Sequence, residues 1–198
     1  MTTNLYFDEA GRWPLAWPVC TCVVFISHYT NQIQSLLRTV KDSKTLSPKN
    51  RQLLYSQITK SDNLHFACTF WHAHSIDKFW IIPMIKTWIQ TNIAKLQLHK
   101  NQRILLILDW NSRFGLKKNR YRCYQPIVKG DKIIPEISAA SIIAKVTRDK
   151  YMIKKDKEYP AYCFKTNKWY WTKNHRKAIH QFWLTPLHRK SFCSFIQQ

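Results

Sequence analysis

Four carboxylates in this chain stand at positions where they could do chemistry. The chain has only 11 acidic residues, and Asp8, Glu9, Asp109 and Asp149 occur at the ends of predicted elements or in motifs beside them. Brought together, these groups would repel one another unless divalent cations neutralised them. Such oxygen ligands suit Mg²⁺ or Mn²⁺, and two ions can activate water and stabilise the leaving oxygen in phosphodiester cleavage. Taken one at a time, each carboxylate is more often a helix cap or a salt-bridge partner.

The charge of the chain indicates a polyanionic partner. Lys and Arg number 32 against 11 Asp and Glu, which gives a formal net charge of +21. Because the basic residues are spread along the whole chain, nucleic acid is the default partner. A genome that favours lysine codons would explain part of this excess without any binding function.

The N-terminal region predicts neither a signal peptide nor a membrane span. It carries Asp8 and Glu9 instead of basic residues, and the apolar stretch 13–26 is broken by Pro14 and Pro18. We therefore expect a cytoplasmic protein. The six cysteines lack paired C-x-x-C spacing, which argues against a zinc site, and a reducing cytoplasm argues against disulfides.

Predicted strands and helices alternate along the chain and indicate an α/β fold. The predicted strands cover residues 4–8, 19–27, 64–70 and 103–109, where β-prone apolar runs occur. The predicted helices cover residues 48–60, 76–96 and 136–155. We expect a mixed central sheet flanked by helices, in a single domain over residues 1–198 with a small helical C-terminal appendage at about 160–198.

Seven motifs follow one another in a fixed order along the chain. They are F-D-E-A-G-R-W-P-L-A-W-P-V at 7–19, D-S-K with L-S at 42–47, I-L-D-W-N at 107–111, V-K-G-D at 128–131, S-A-A-S-I-I-A-K-V-T-R-D at 138–149, W-Y-W-T-K-N-H at 169–175 and P-L-H-R-K-S-F at 186–192. In this combination the chain resembles the ribonuclease HII family. The resemblance implies a ribonuclease H-like fold. It also implies an endonuclease that cleaves the RNA strand of RNA/DNA hybrids, and the 5′ side of ribonucleotides embedded in duplex DNA.

The resemblance also implies roles for particular residues. Asp8, Glu9, Asp109 and Asp149 match the four carboxylates with which the family binds Mg²⁺ or Mn²⁺, expected as two ions. Gly11, Arg12 and Trp13 fall on the turn that senses the ribose 2′-hydroxyl. Lys44 matches a lysine near the scissile phosphate, and Tyr170 matches a tyrosine that packs on the neighbouring sugar.

Other polar residues in the same motifs are expected to support the site. Candidates for phosphate contacts or for bracing the site are Lys129, Lys145, Arg148, His188 and Arg189. Asp131 is either an outer-shell acid or a loop cap, and His175 is expected to be structural.

Tryptophan stands at several positions where the resembled family has glycine. The chain has 3 Gly and 9 Trp, whereas an average chain of this length has roughly 14 Gly. An indole cannot replace a positive φ or a close approach of backbone to a ligand. We hypothesise that the source organism reads UGA codons as glycine and that these tryptophans stand for glycines. A paralogue that lost activity is the competing explanation, although all four carboxylates are present. The positions concerned are Trp13, Trp17, Trp80, Trp110, Trp169, Trp171 and Trp183.

Three functions remain open from the sequence. The first is the active hybrid-specific endonuclease, and the second is an inactive hybrid-binding homologue in which Trp13 blocks the site. The third is a nuclease that acts on ordinary DNA. We expect a monomer, and residues 194–198 are either a tail that binds a sliding clamp or a frayed end.

Overall fold

One mixed sheet organises the chain. The computed structural model describes residues 2–16, 18–40, 45–99, 101–111, 115–119, 121–167 and 170–196. The strands in these ranges are β1 (Thr2–Ala10), β2 (Val19–Ile26), β3 (Leu64–Trp71), β4 (Arg103–Asp109) and β5 (Arg122–Ile127). They form a five-stranded sheet in the order β3-β2-β1-β4-β5.

The central strand β1 joins the antiparallel and parallel halves of the sheet. It pairs antiparallel with β2 and parallel with β4, and β4 pairs parallel with β5. The register places Phe7 beside Leu108. The carboxylates that follow these two residues, Asp8 and Asp109, therefore emerge at the same edge of the sheet.

Helices cover both faces of the sheet. They are α1 (Asn31–Thr39), α2 (Pro48–Thr59), α3 (Ala73–Phe79), α4 (Ile81–Lys95), α5 (Gly130–Ile133), α6 (Pro135–Asp156), α7 (Phe164–Asn167) and α8 (Lys173–Phe182). On one face Leu5 and Phe7 pack with Ile85 and Ile89 of α4. On the other face Cys20 and Val24 pack with α6 and with α1 and α2.

A third apolar cluster joins the C-terminal residues to the rest of the chain. Leu15 and Ala16 pack there with Phe164 and Ile179, and with Cys193 near the end of the chain. The C-terminal helices therefore lie against the segment that follows β1.

The expected mixed sheet flanked by helices is confirmed, whereas the single long helix over 76–96 is wrong. The chain forms α3 and α4 instead, separated at Trp80, whose φ of 61° and ψ of 162° cannot continue a helix. The sequence analysis also missed α1 and β5. Strand β5 escaped detection because it is a short edge strand that contains Pro126 and polar residues. None of the helices in the described residues is long and apolar enough to span a bilayer.

Candidate active site

Three carboxylates meet at the edge of the sheet where β1 and β4 end. Asp8 comes from β1, Asp109 is the last residue of β4, and Asp131 lies in the short helix α5. One carboxylate oxygen of each lies within 4.8 Å of those of the other two. We refer to Asp8, Asp109 and Asp131 as the carboxylate trio.

The loop after β5 holds two members of the trio in place. The backbone N–H of Gly130 donates to Asp109 Oδ1 at 2.7 Å. A Cβ at position 130 would lie 2.6 Å from Ile137 Cδ1, so the close approach requires glycine. The carbonyl of Asp131 accepts from Ser138 Oγ at 2.5 Å, which ties α5 to the first turn of α6.

The trio concentrates negative charge where water is scarce. Asp8 is only 5% exposed. Burial raises the pKa of its carboxyl well above the usual range, and the charges of Glu9 and Asp109 raise it further, while a hydrogen bond from Ser141 opposes them. The backbone N–H of Glu9 also donates to Asp8 Oδ1 at 2.7 Å. A cation bound between these oxygens would relieve the repulsion, so the donor set fits a divalent metal ion.

Glu9 lies next to the trio but is bonded elsewhere. Trp110 Nε1 donates to Glu9 Oε2 at 2.8 Å, and Arg12 Nη1 lies 3.8 Å from Glu9 Oε1. The guanidinium of Arg12 also stacks 4.2 Å from the centre of the Trp110 ring. In this arrangement Trp110 and Arg12 hold the carboxylate that the sequence assigns to the metal set.

Asp149, the fourth predicted metal ligand, does not join the trio. Its Oδ1 accepts from Lys145 Nζ at 2.8 Å and lies 4.0 Å from Arg148 Nη1. Ser141 is the residue of α6 that reaches Asp8, and Asp149 lies eight residues further along the helix, a rise of about 12 Å. In this structure Asp131 lies with Asp8 and Asp109, and Asp149 lies outside that cluster.

A topological signal would have found Asp131. It follows β5, which runs parallel to β4, and the carboxyl ends of adjacent parallel strands meet at one edge of a sheet. Because β5 is not predicted from the sequence, Asp131 was expected to be an outer-shell acid or a loop cap and was not placed among the metal ligands. Ser141, which bonds Asp8, was also passed over, although it lies inside the motif at 138–149.

The turn after β1 requires glycine at position 11 and is held by Arg189. Gly11 has φ of 92°, and a Cβ there would lie 2.6 Å from the carbonyl oxygen of Pro18. The guanidinium of Arg189 donates to the carbonyl oxygens of Gly11 and Arg12, both at 2.7 Å. Trp13, the third residue of this turn, is 69% exposed and projects into solvent.

Tyr170 lies close to Arg148, a residue that also packs against Gly11 of the turn. Its ring centre is 5.7 Å from Arg148 Cζ and 6.0 Å from Lys145 Nζ. Arg148 is fully buried, and its Nε donates to the carbonyl of Pro18 at 2.9 Å. The turn and the tyrosine thus both lie close to one buried arginine.

The remaining predicted residues fall into three groups. Lys129 is exposed beside Asp131, at a groove of 470 Å³ that Arg12, Asp109 and Trp110 also line. His188 and Arg189 are buried, so their surroundings suit bracing and leave no room for a phosphate. Lys44 lies outside the described residues, as do Trp17 and Trp169.

Two tryptophans adopt a backbone conformation that is essentially confined to glycine. Trp80 has φ of 61° and ψ of 162°, and Trp183 has φ of 65° and ψ of −169°. Both follow the last residue of a helix, and their side chains are 61% and 70% exposed. The backbone at both tryptophans is therefore strained, and the exposed indoles gain little from burial that could offset the strain.

Comparison with solved structures shows the fold. The ribonuclease H2 from Pyrococcus horikoshii OT3 superposes with a TM-score of 0.74 at 24% identity, over 98% of this chain and 97% of that one. The ribonuclease HII of the PCNA:RNase HII complex from Archaeoglobus fulgidus gives 0.74 at 20% identity, over 94% and 93%. Bst-RNase HIII in complex with Mn²⁺ gives 0.66 at 14% identity, over 99% and 70%. The fold is that of type 2 ribonucleases H.

Sequence comparison shows the family. The family model described as ribonuclease HII matches residues 6–195. The ribonuclease HII of Rickettsia akari (strain Hartford) is 40% identical over 185 residues, which cover 93% of this chain and 88% of the relative. The chain belongs to the ribonuclease HII family. It is therefore an endonucleolytic hydrolase of the ribonuclease H type.

Proposed function

We propose that this protein hydrolyses the RNA strand of RNA/DNA hybrids and the phosphodiester on the 5′ side of ribonucleotides embedded in duplex DNA, leaving 3′-hydroxyl and 5′-phosphate ends. The observation that carries the proposal is the carboxylate trio at the edge of the sheet, at the end of the strand that leads into the positive-φ turn at Gly11. Acidic metal ligands and a turn that can approach a ribose are the two parts that this reaction needs.

The trio would hold the divalent cations, Mg²⁺ or Mn²⁺ and two in number. Asp8, Asp109 and Asp131 offer oxygen ligands within 4.8 Å of one another, and Glu9 would join them on release from Trp110 and Arg12. The solved ribonuclease HIII with Mn²⁺ supports the choice of metal class. When bound, such ions activate a water molecule and stabilise the leaving oxygen.

The turn at 11–13 and Tyr170 would select the substrate. Peptide groups exposed at the turn can hydrogen-bond a 2′-hydroxyl, which is the group that distinguishes RNA from DNA. Tyr170, 40% exposed, would pack against the adjoining sugar. Lys129 and Lys132 are exposed beside Asp131, where cations can bind phosphates and fix the position of the duplex.

The direct test is cleavage of an end-labelled DNA duplex that contains one ribonucleotide. We expect a single cut on its 5′ side with Mg²⁺ or Mn²⁺ and no cut in EDTA. Asp109→Asn should abolish cleavage yet retain binding, since it removes a ligand and no basic residue. Equally fast cleavage of an all-deoxy duplex would defeat the proposal and support a nuclease for ordinary DNA.

A non-catalytic hybrid-binding protein is the second candidate, and the tryptophans favour it. Trp13 projects from the turn with Arg12 stacked 5.0 Å from its ring centre, and Trp110 bonds Glu9. If these indoles are present in the cellular protein, the ribose would be kept from the turn. This candidate predicts salt-sensitive binding of hybrids and no cutting with any divalent ion, with cutting gained in a Trp13→Gly, Trp110→Gly variant.

Assembly and location complete the proposal. We propose a single-domain monomer in the cytoplasm, which size-exclusion chromatography and cell fractionation would test. An Archaeoglobus fulgidus ribonuclease HII forms a complex with PCNA, and clamp binding through residues 194–198 would be the counterpart here. Phe195 packs 5.0 Å from the Trp171 ring centre, so it would have to leave that contact to bind a clamp.

A further inference from the structure

The segment near the C-terminus lies directly beneath the turn that follows β1. His188 forms an antiparallel bridge with Ala16, and the backbone N–H of Arg189 donates to the carbonyl of Leu15 at 2.8 Å. Cys193 Sγ approaches the same carbonyl at 3.8 Å. Residues far apart in sequence are thus joined by main-chain hydrogen bonds next to the carboxylate trio.

The guanidinium group of Arg189 binds this turn. Its side chain is fully buried, and its two terminal nitrogens donate to the consecutive carbonyls of Gly11 and Arg12. Burial, followed by the charge of Arg148, lowers the pKa of this guanidinium to about 9. The Phe192 ring lies 5.2 Å from Arg189 Cζ, and the charge of Asp77 partly compensates the guanidinium. Burying a cation is nevertheless costly, and packing alone could have been met by an apolar side chain. Because Arg189 binds both groups, the carbonyls of Gly11 and Arg12 both point inward.

A pair of buried histidines performs a similar task for Tyr170. The N–H of Thr185 donates to His188 Nδ1 at 3.0 Å, so that nitrogen carries no proton. The carbonyl of Tyr170 can only accept, so His175 Nδ1, at 3.0 Å, is protonated. The 3.1 Å contact between the two Nε2 atoms is then a hydrogen bond from His188 to His175. Both rings are neutral, and the chain of bonds ends on the backbone of the tyrosine.

We propose that the segment 184–193 is a positioning strap for ribose recognition, in which Arg189 fixes the Gly11–Arg12 turn and the His175–His188 pair fixes Tyr170. The inference rests on the proposed function of the turn and the tyrosine. In this arrangement the preference for ribose depends on residues that do not bind the metal ion. The bonds described above join the strap to the turn and to Tyr170, and none of them involves the trio.

The strap should affect the preference for ribose more than it affects affinity for nucleic acid. Phosphate contacts by exposed lysines tolerate a small displacement, since they depend on charge. A hydrogen bond to a 2′-hydroxyl does not, and a misplacement of about 1 Å can cost a factor of up to about a hundred. Arg189→Lys is the informative change because an ammonium keeps the charge but cannot span two carbonyls in a fixed fork.

The test compares binding of two duplexes that differ by one 2′-hydroxyl. Dissociation constants are measured with Ca²⁺ for a DNA duplex with a single ribonucleotide and for its all-deoxy counterpart, in the chain as it stands and with Trp13→Gly. We expect Arg189→Lys to reduce the preference for the ribonucleotide by at least about fivefold, with all-deoxy affinity changed less than about twofold. Arg176 is an exposed arginine on α8, and Arg176→Lys is the matched control for the same chemical change.

Hydrogen exchange of the backbone amides in residues 11–16 gives a second readout that needs no substrate. Exchange there should be faster in Arg189→Lys, while β4 keeps its protection. Equal losses of affinity for both duplexes would show that Arg189 only supports folding and would overturn the inference. An unchanged preference for the ribonucleotide, together with unchanged amide exchange in residues 11–16, would also overturn it. If the unaltered chains show no ribonucleotide preference, the proposed function fails, and the exchange result alone decides whether the strap positions the turn.

Discussion

Helix α6 contacts carboxylates at two places, near its start and further along, and the two places differ in the groups that meet the acid. Near its start, Ser138 bonds the backbone carbonyl of Asp131, and Ser141 bonds the carboxylate of Asp8, two members of the trio. Further along, Lys145 bonds Asp149 at 2.8 Å, with Arg148 4.0 Å away. The first group consists of acids that lie close to one another, whereas Asp149 is paired with basic residues of its own helix.

This difference separates a metal site from a structural ion pair. A carboxylate whose charge is already compensated gains little from a metal ion, whereas three adjacent carboxylates gain a great deal. Asp149 also holds Lys145, whose Nζ lies 6.0 Å from the centre of the Tyr170 ring. Each prediction below tests whether the two groups of acids differ in this manner.

The largest expected effect is on catalysis. Asp131→Asn removes a ligand and should lower the cleavage rate of a ribonucleotide-containing duplex by about a thousandfold, equivalent to about 4 kcal/mol of activation free energy. Asp149→Asn should lower it by less than about tenfold, since it loosens Lys145 and leaves the trio intact. Single-turnover cleavage with Mg²⁺ measures both. A larger loss in Asp149→Asn than in Asp131→Asn would show that the sequence-based grouping was right.

The sequence was sufficient for the parts of this fold that local pattern determines. Apolar runs located β1, β2, β3 and β4, and the ordered motifs located the family, because both signals lie in neighbouring residues. The break between α3 and α4 could not be read in this manner, because isoleucine spacing continues across Trp80 and only the backbone conformation ends the helix.

The candidate site was harder to predict because its members come from different elements. Asp8 and Asp109 follow apolar strands and were identified. Asp131 required knowledge that β5 lies beside β4, and the arginine clamp on the turn required contact between residues 11–12 and 189. Sequence spacing on α6 suggested Asp149, but a helix carries its residues away from a point site at about 1.5 Å each.

The second prediction concerns metal-linked stability. Mg²⁺ or Mn²⁺ at about a hundred times its dissociation constant should stabilise the folded chain by about 2.7 kcal/mol. The gain should disappear in Asp131→Asn and persist in Asp149→Asn. Thermal unfolding with and without the ion measures it, and Ca²⁺-free EDTA samples supply the baseline. Equal gains in both variants would contradict a metal site at the trio.

The third prediction contrasts the pH dependence of the two regions in EDTA. Burial, and then the charge of His175, lowers the pKa of His188 to about 3. Its contribution to stability is therefore complete above the unfolded value near 6.5 and is lost as the pH falls toward 3, with about 2 kcal/mol gone by pH 5. Asp8 has the opposite sign: its pKa is raised, so protonation as the pH falls relieves repulsion.

Two variants separate these contributions. Denaturant unfolding between pH 4 and 7 should show a weaker loss toward acid in His188→Gln, and a higher stability at pH 7 in Asp8→Asn. His188→Gln keeps a donor near the Nε2 position, so it should retain more stability than His188→Ala. A pH profile that is the same in His188→Gln as in the unaltered chain would rule out the histidine pair as its origin.

The smallest effect tests the backbone at the end of α8, the helix that carries His175, which bonds His188 of the strap. Trp183 has φ of 65°, and its side chain is 70% exposed, so Trp183→Gly should raise the free energy of unfolding by about 1 kcal/mol or more. Trp183→Ala is the matched control, because alanine removes the indole but keeps the strained Cβ. Glycine should therefore exceed alanine, the reverse of their order within a helix. Neither change should alter the metal-linked gain, since the trio lies in other elements. A UGA codon at this position would mean that the cellular protein has glycine there, which would explain the strain. A UGG codon, together with an alanine variant more stable than the glycine variant, would show that a side chain is tolerated there.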